Sequence, residues 1–431
     1  MLLIYTHKIT PRFTYIVKQL FTRVLGLEIT LTTKVEDFIK HTGPKITYTK
    51  QPLQNEFFIR SNDLLFEQGI NDFPIKIGDW DGIPCFFGAG ERSNVPYDIF
   101  SASFYLLSRY EEYVPHMKDM HGRFPPTESV AYRGGFLRMP LVDIWTWKLF
   151  SKLQERFPAL EQSKRAYRYV SVIDVTSSHC YAHRGFVRST AGLFMDIGAL
   201  KLKRAWERLR VWLNVLPDPY DNYEHLIRVH KKFGIKSLFF FQFAAYSTYD
   251  KNVAPTNEKF KHLIKSVADY STVSLAASYS SFQNVQLLME EKKKLSGVIH
   301  RPIHASRFRY NRVDVPQTYR NLVEAEFTDD YTMGYTHEIG FRASTSHPFY
   351  FYDIGLEVQQ PIKIHPFAVH DYALLKMTDS NEIQQELTTI YRQIKAVKGC
   401  FVTVFSNELL GGQKSTDWLK VYEAVIQNYH V

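Results

Sequence analysis

The chain has only three cysteines in 431 residues, Cys85, Cys180 and Cys400, each isolated. No CxxC spacing occurs, which argues against a disulfide framework and against a cysteine-rich zinc site. The pattern fits a reducing compartment. Long apolar runs are also missing. Nothing approaches the roughly 20 residues a spanning helix needs, so no membrane span is expected. The first residues, MLLIYTHKITPRF, are broken by His7, Lys8 and Pro11. They lack the apolar core and small-residue cleavage site of a secretory leader, so a cytoplasmic location is expected. No GxGxxG follows a strand-like run and no Walker A motif occurs, so nothing supports a dinucleotide or P-loop nucleotide site. Internal repeats and low-complexity segments are absent as well.

What remains is an ordinary globular composition, 45% hydrophobic and 23% charged. It is ample for a large core and for about two or three domains. Aromatics reach 15%, with 32 Phe and 27 Tyr. Most belong in a core, while exposed rings can stack on sugars. The net charge of +9 leans weakly toward an acidic polymer or an anionic surface. The basic residues are scattered, however. The densest runs, KLKRAWERLR (201–210) and EEKKKL (290–295), mix with apolar residues at helical spacing and read as solvated helix faces. No nucleic-acid partner is expected.

Apolar spacing predicts helices over 98–113, 142–157, 220–234, 256–270, 281–297, 315–326 and 416–429, and a further one through Ile383, Leu387, Ile390 and Ile394. Strands are expected at 46–50, 55–61, 82–88, 170–174, 235–243, 272–277 and 399–405, with shorter ones near 331–335, 341–344, 349–353 and 362–367. The polar segment EQSKRAYR (161–168) marks a boundary between a smaller α+β domain, residues 1–160, and a larger unit, residues 165–431. In the larger unit strands and helices alternate, which implies a parallel sheet. Functional groups then belong at the strand C-termini. VSVID (170–174) ends there on an acid.

Several phrases carry a family resemblance: SFYLLSRYEEY (103–113), HGRFPPTES (121–129), DPYDNYEHL (218–226), SLFFFQF (237–243), PQTYRNLVEA (316–325), DYTMGY (330–335), GFRAS (340–344) and PFYFYD (348–353). In order and spacing the chain resembles the polysaccharide deacetylases of the NodB-homology superfamily. It is most similar to a Bacteroidetes branch with an extra N-terminal domain. The resemblance implies an irregular (β/α) barrel and, in active members, removal of an N-acetyl group from a sugar. It also implies a divalent metal, often zinc, held by one Asp and two His. The metal polarises the carbonyl and lowers the pKa of bound water. A second Asp acts as base and a late His as acid.

Residue by residue, the machinery is degenerate. Asp174 matches the first acid, but Thr176 stands where the second would be. Ala276 replaces a ligating histidine, Arg309 another histidine, and Ser406 the acid histidine. The resemblance therefore implies a deacetylase-like protein without working metal chemistry. It would bind carbohydrate or act as a scaffold in envelope or exopolysaccharide metabolism. Asp174 is then a remnant base, and Arg307, Asp330, Arg342 and His365 are candidates for substrate binding. No cofactor is expected. The alternative is an active hydrolase with a rearranged metal site, drawing on His179 and His183 at i, i+4 spacing, or on His304, His365 and His370.

Overall fold

The computed structural model describes residues 1–163, 165–377, 379–412 and 417–431. The first part of the chain builds a four-stranded sheet from β1 (Leu2–Thr6), β2 (Ile29–Thr32), β3 (Lys45–Thr49) and β4 (Phe57–Arg60), in the order β2-β1-β3-β4. Every pair in it is parallel. That differs from the α+β arrangement expected: helices link β1 to β2 and β2 to β3, while residues 50–56 connect β3 to β4 without one. A small hairpin of β5 (Gly78–Trp80) and β6 (Ile83–Cys85) follows.

The larger sheet has nine strands: β7 (Arg168–Val175), β8 (Ser237–Gln242), β9 (Thr272–Ala277), β10 (Ala305–Phe308), β11 (Asp329–Asp330), β12 (Phe349–Asp353), β13 (Val358–Ile364), β14 (Val369–His370) and β15 (Cys400–Ser406). Their order is β12-β13-β11-β10-β9-β8-β7-β15-β14. All neighbours are parallel except β12 and β13. The sheet curls into a half-barrel and its two edge strands do not pair, so the expected barrel is incomplete.

Strand alternation explains the inside of the curl. Ile173 and Val175 face outward and join the main core with Phe239, Phe241 and Phe405. Val172, Phe240, Ala276, Val402 and Val404 form a separate cluster within the curl. Register then sets the upper layer: Ser406 lies opposite Asp174, and Gln242, Ala276 and Arg307 lie side by side on three neighbouring strands.

Helices form where spacing puts apolar residues on one stripe. Tyr223–Phe233 buries Tyr223, Leu226, Ile227 and His230 and stops at Gly234, whose φ of 63° suits the left-handed cap. Two regions depart from expectation. The helix predicted over 98–113 ends at Leu107, and Arg109 takes a φ of 55°. Its guanidinium is buried against Glu111 and Glu112, each at 2.8 Å, which a continuing helix would not allow. The strands predicted near 331–335 and 341–344 are irregular loops. There the backbone bends to serve buried charges, with Ser344 at φ 51°.

The two sheets share one continuous hydrophobic cluster. Polar contacts tie them further. Arg12 pairs with Glu357, and the Tyr15 hydroxyl donates to the Tyr350 carbonyl at 2.8 Å. Asp143 accepts from the Thr345 hydroxyl at 2.5 Å and from the Ser346 N–H at 2.7 Å. Among the described residues no helix is long and apolar enough to cross a membrane.

Candidate functional site

A cavity of about 230 Å³ opens at the C-terminal ends of β7, β15 and β10, bordered by Asp174, Thr176, Ser406, Glu408 and Arg309. Its far wall comes from two loops that close over the sheet. One, residues 119–126, supplies His121 and Arg123. The other supplies Thr336 and His337.

Asp174 is the pivot. Its side chain is 13% exposed, and Oδ2 accepts from Arg307 Nε at 3.3 Å. Arg307 is fully buried and held from every side. It donates to the Tyr331 carbonyl at 2.5 Å and to Asn311 Oδ1, and it packs 4.8 Å from the Phe367 ring centroid. Thr176 donates its hydroxyl to Glu408 Oε1 at 2.7 Å. Ser406 donates its N–H and its hydroxyl to Asp371 Oδ2, both at 2.7 Å. His370 Nδ1 lies 2.7 Å from the other oxygen of Asp371.

Arg309 differs from Arg307. Its nearest acid is Asp250, with Nε 3.8 Å from Oδ1, and the buried Nε has no hydrogen-bond partner. His121 Nδ1 is likewise buried and unpartnered. His121 stacks on Tyr310 at 4.7 Å between centroids. Burial, with help from Arg123, pushes the His121 and His337 imidazoles below their ordinary pKa, so both face the cavity neutral near pH 7. Buried polar atoms normally find partners, so these two nitrogens are exceptions within the wall of the cavity.

The residues do not fit a divalent cation. Asp174 is engaged by one guanidinium and a second, Arg309, stands at the same rim. Ala276 lies in the apolar cluster and ligates nothing. Thr176 offers a neutral hydroxyl, a poor ligand for a hard cation. Among the described residues no three His, Cys, Asp or Glu side chains converge as a metal site would require.

The other nominated residues lie elsewhere. Arg342 is buried and makes a bidentate pair with Glu112, at 2.9 and 2.7 Å. Arg109 donates to the Arg342 carbonyl and to Glu112, so Arg342 belongs to the joint between the two sheets. Asp330 is fully buried and accepts from the Thr332 N–H at 3.0 Å and from the Thr332 hydroxyl at 2.5 Å. Burial raises its pKa to about 6. His365 bonds Asp329 at 2.7 Å and stacks on Tyr331 at 4.3 Å; it does not line the cavity. His304 precedes β10, at the end of the sheet opposite the cavity. His179 and His183 do touch, with ring centroids 4.8 Å apart, but on an irregular turn rather than a helix face. Burial lowers the His179 pKa to about 4.

Sequence reading missed His121, Arg123, Tyr310, Tyr372 and Glu408. The signal for His121 and Arg123 was the phrase HGRFPPTES, which reaches the cavity only through the tertiary fold. Glu408 sits two residues beyond Ser406.

A family model described as a family of unknown function (DUF7033) matches residues 2–158. No curated protein sequence matches the chain. Solved structures with a similar fold include a Mycobacterium smegmatis protein described as a polysaccharide deacetylase, at 12% identity and TM-score 0.41, covering 62% of this chain and 85% of that one. The polysaccharide deacetylase Bc1974 from Bacillus cereus aligns at 11% identity and TM-score 0.31, over 61% and 86%. A mutant of BA3943, described as a CE4 family pseudoenzyme, aligns at 8% identity and TM-score 0.33, over 61% and 62%. At these scores the likeness is a loose one of fold, and the chemistry of this chain rests on its own side chains.

Proposed function

We propose that this chain is a polysaccharide deacetylase-like protein that binds carbohydrate at the cavity and does not carry out metal-dependent hydrolysis. Its place is in envelope or exopolysaccharide metabolism. The observation that carries the reading is the pairing of Asp174 with a buried arginine. Where the resemblance calls for an Asp-bound cation, Asp174 meets the buried Arg307 guanidinium at 3.3 Å. The Arg309 and His121 side chains line the cavity, and a guanidinium favours carboxylate or acyl oxygens. Tyr310 and Tyr372 supply ring faces for a sugar. The cavity lies below the roughly 300 Å³ at which pockets for drug-sized ligands begin, which suits one sugar residue of a longer chain. The isolated thiols, all free, support a reducing location.

A second reading, an active hydrolase of N-acetylated carbohydrate, draws on Asp174, Glu408 and three histidines sharing one cavity. One experiment separates the two. Oligosaccharides bearing N-acetyl or carboxylate groups are titrated calorimetrically, and acetate release is followed with and without added zinc. The first reading expects saturable binding, weakened about tenfold or more by Arg309→Ala, with no acetate above background. Acetate release that Asp174→Asn abolishes would overturn it in favour of the second.

A further inference from the structure

Residues 186–215 form two helices, Phe186–Gly198 and Leu202–Trp212, inserted after β7. The insert is inside-out. Its buried side holds an ion pair: Asp196 Oδ2 accepts from Arg208 Nε at 3.0 Å and from Nη2 at 2.7 Å, with both side chains buried. Gly192 is what lets Arg208 fit, since a Cβ there would lie 2.6 Å from Nη1. The outer side is apolar. Phe186, Phe194, Met195, Leu200, Leu202 and Trp206 all face solvent, Leu200 at 84% and Trp206 at 64% exposure. Contiguous exposed apolar surface of this kind marks a docking face.

The root of the insert is fixed. The Asp218 carboxylate accepts from the N–H groups of Cys180, Tyr181 and Ala182, at 2.7 to 2.8 Å, and from Tyr220 N–H at 3.0 Å. Both ends of the excursion are thus clamped to one side chain. The face is presented by a braced element that starts from the same strand end as Asp174 and Thr176.

Charge selects the partner. Residues 184–216 carry seven basic side chains and two acidic ones. Of the acids, Asp196 is buried against Arg208, and Glu207 accepts from the Tyr181 hydroxyl at 3.2 Å. Arg204 also reaches Asp196, at 3.6 Å; the exposed charges left beside the apolar face are cations, chiefly Lys201 and Lys203. Bulky apolar residues with an interfacial Trp, flanked by lysine and arginine, match a lipid headgroup layer of negative charge. We propose that this helical pair docks the protein on an anionic bilayer surface, lying in the interface without crossing it.

The test is sedimentation of the full chain with vesicles of phosphatidylglycerol mixed into phosphatidylcholine, and with phosphatidylcholine alone. Binding is expected to the first, weaker in high salt, and far weaker to the second. Phe194→Ser with Trp206→Ser, and separately Lys201→Glu with Lys203→Glu, should each lower partitioning about tenfold or more. Thermal melting checks that the variants are folded. Where a variant is not, the unaltered chain gives the answer, because brominated phosphatidylglycerol should quench its tryptophan fluorescence. No binding to anionic vesicles, equal binding to both kinds, or absence of quenching overturns the proposal. So does a dimer that forms without lipid and dissolves in the Phe194→Ser, Trp206→Ser chain, since a second copy would then be what covers the face.

Discussion

Glu112→Gln is the most informative single change to the framework. Glu112 is buried between Arg342, which it meets bidentately, and Arg109 at 2.8 Å. Burial alone would raise its pKa, but Arg342 and Arg109 outweigh burial and hold it at about 2 instead of 4.5. A folded value below the unfolded one means stability that is present above pH 4.5 and lost as pH falls through 2. The shift corresponds to roughly 3 kcal/mol. That agrees with the roughly 3–5 kcal/mol expected when one partner of a buried ion pair is removed. Urea unfolding followed by tryptophan fluorescence should therefore put the variant about 3 kcal/mol below wild type at pH 7. At pH 3 the gap should shrink to roughly half. Glu111, on the other side of Arg109, is pushed up by burial and further by the Glu112 charge; removing that charge eases its ionisation and narrows the pH 7 gap somewhat. A gap under about 1 kcal/mol at pH 7, or one that does not narrow in acid, would refute the claim that this network locks the two sheets together.

Three further outcomes are expected. Gly340→Ala should destabilise by about 2 kcal/mol or more, read as a lower urea midpoint, because Gly340 has φ 146° and a Cβ would lie 2.5 Å from the Leu137 carbonyl oxygen. Asp330 has a folded pKa of about 6, above its ordinary value, so its contribution is complete below pH 3.8 and lost as pH rises through 6; wild type should lose roughly 2 kcal/mol relative to Asp330→Asn between pH 4 and pH 7. Asp218→Asn weakens the clamp on the 180–220 excursion, so limited proteolysis should cut there several-fold faster while the melting temperature moves little.

What the sequence made legible follows the range of each interaction. Helices with a clean apolar stripe, such as Leu141–Arg156 and Ser380–Ala396, and strands such as Thr272–Ala277, fall where periodicity put them. Their cause lies within one element. The failures cluster where a residue answers to a partner far along the chain. Arg109 and Glu112 interrupt a helix because Arg342, about 230 positions later, needs both. FRAS (341–344) is expected as a short strand, yet Arg342 points into a charge network rather than along a pleat. The same holds at the site. Asp174 at a strand tip was visible, since alternation along VSVID sends it inward. His121 and Arg123 were not, because nothing in a loop 50 residues earlier says that it folds over that tip.

The character of the cavity turns on which positive charge Asp174 keeps. An inward-facing carboxylate at the top of a curled parallel sheet is costly unless a cation sits beside it. In the sites that the resemblance implies, a metal supplies that charge and, being exchangeable and open on one side, can also activate water. In this chain Arg307 supplies it. A guanidinium fixed by Tyr331, Asn311 and Phe367 satisfies the carboxylate but has no open coordination position and no way to lower the pKa of water. Ala276, next to Arg307 in the register, places no ligating side chain beside that cation. Thr176 likewise avoids a second carboxylate next to Glu408, to which its hydroxyl donates instead. Asp174, Ala276 and Thr176 are thus mutually consistent as parts of a site built around Arg307.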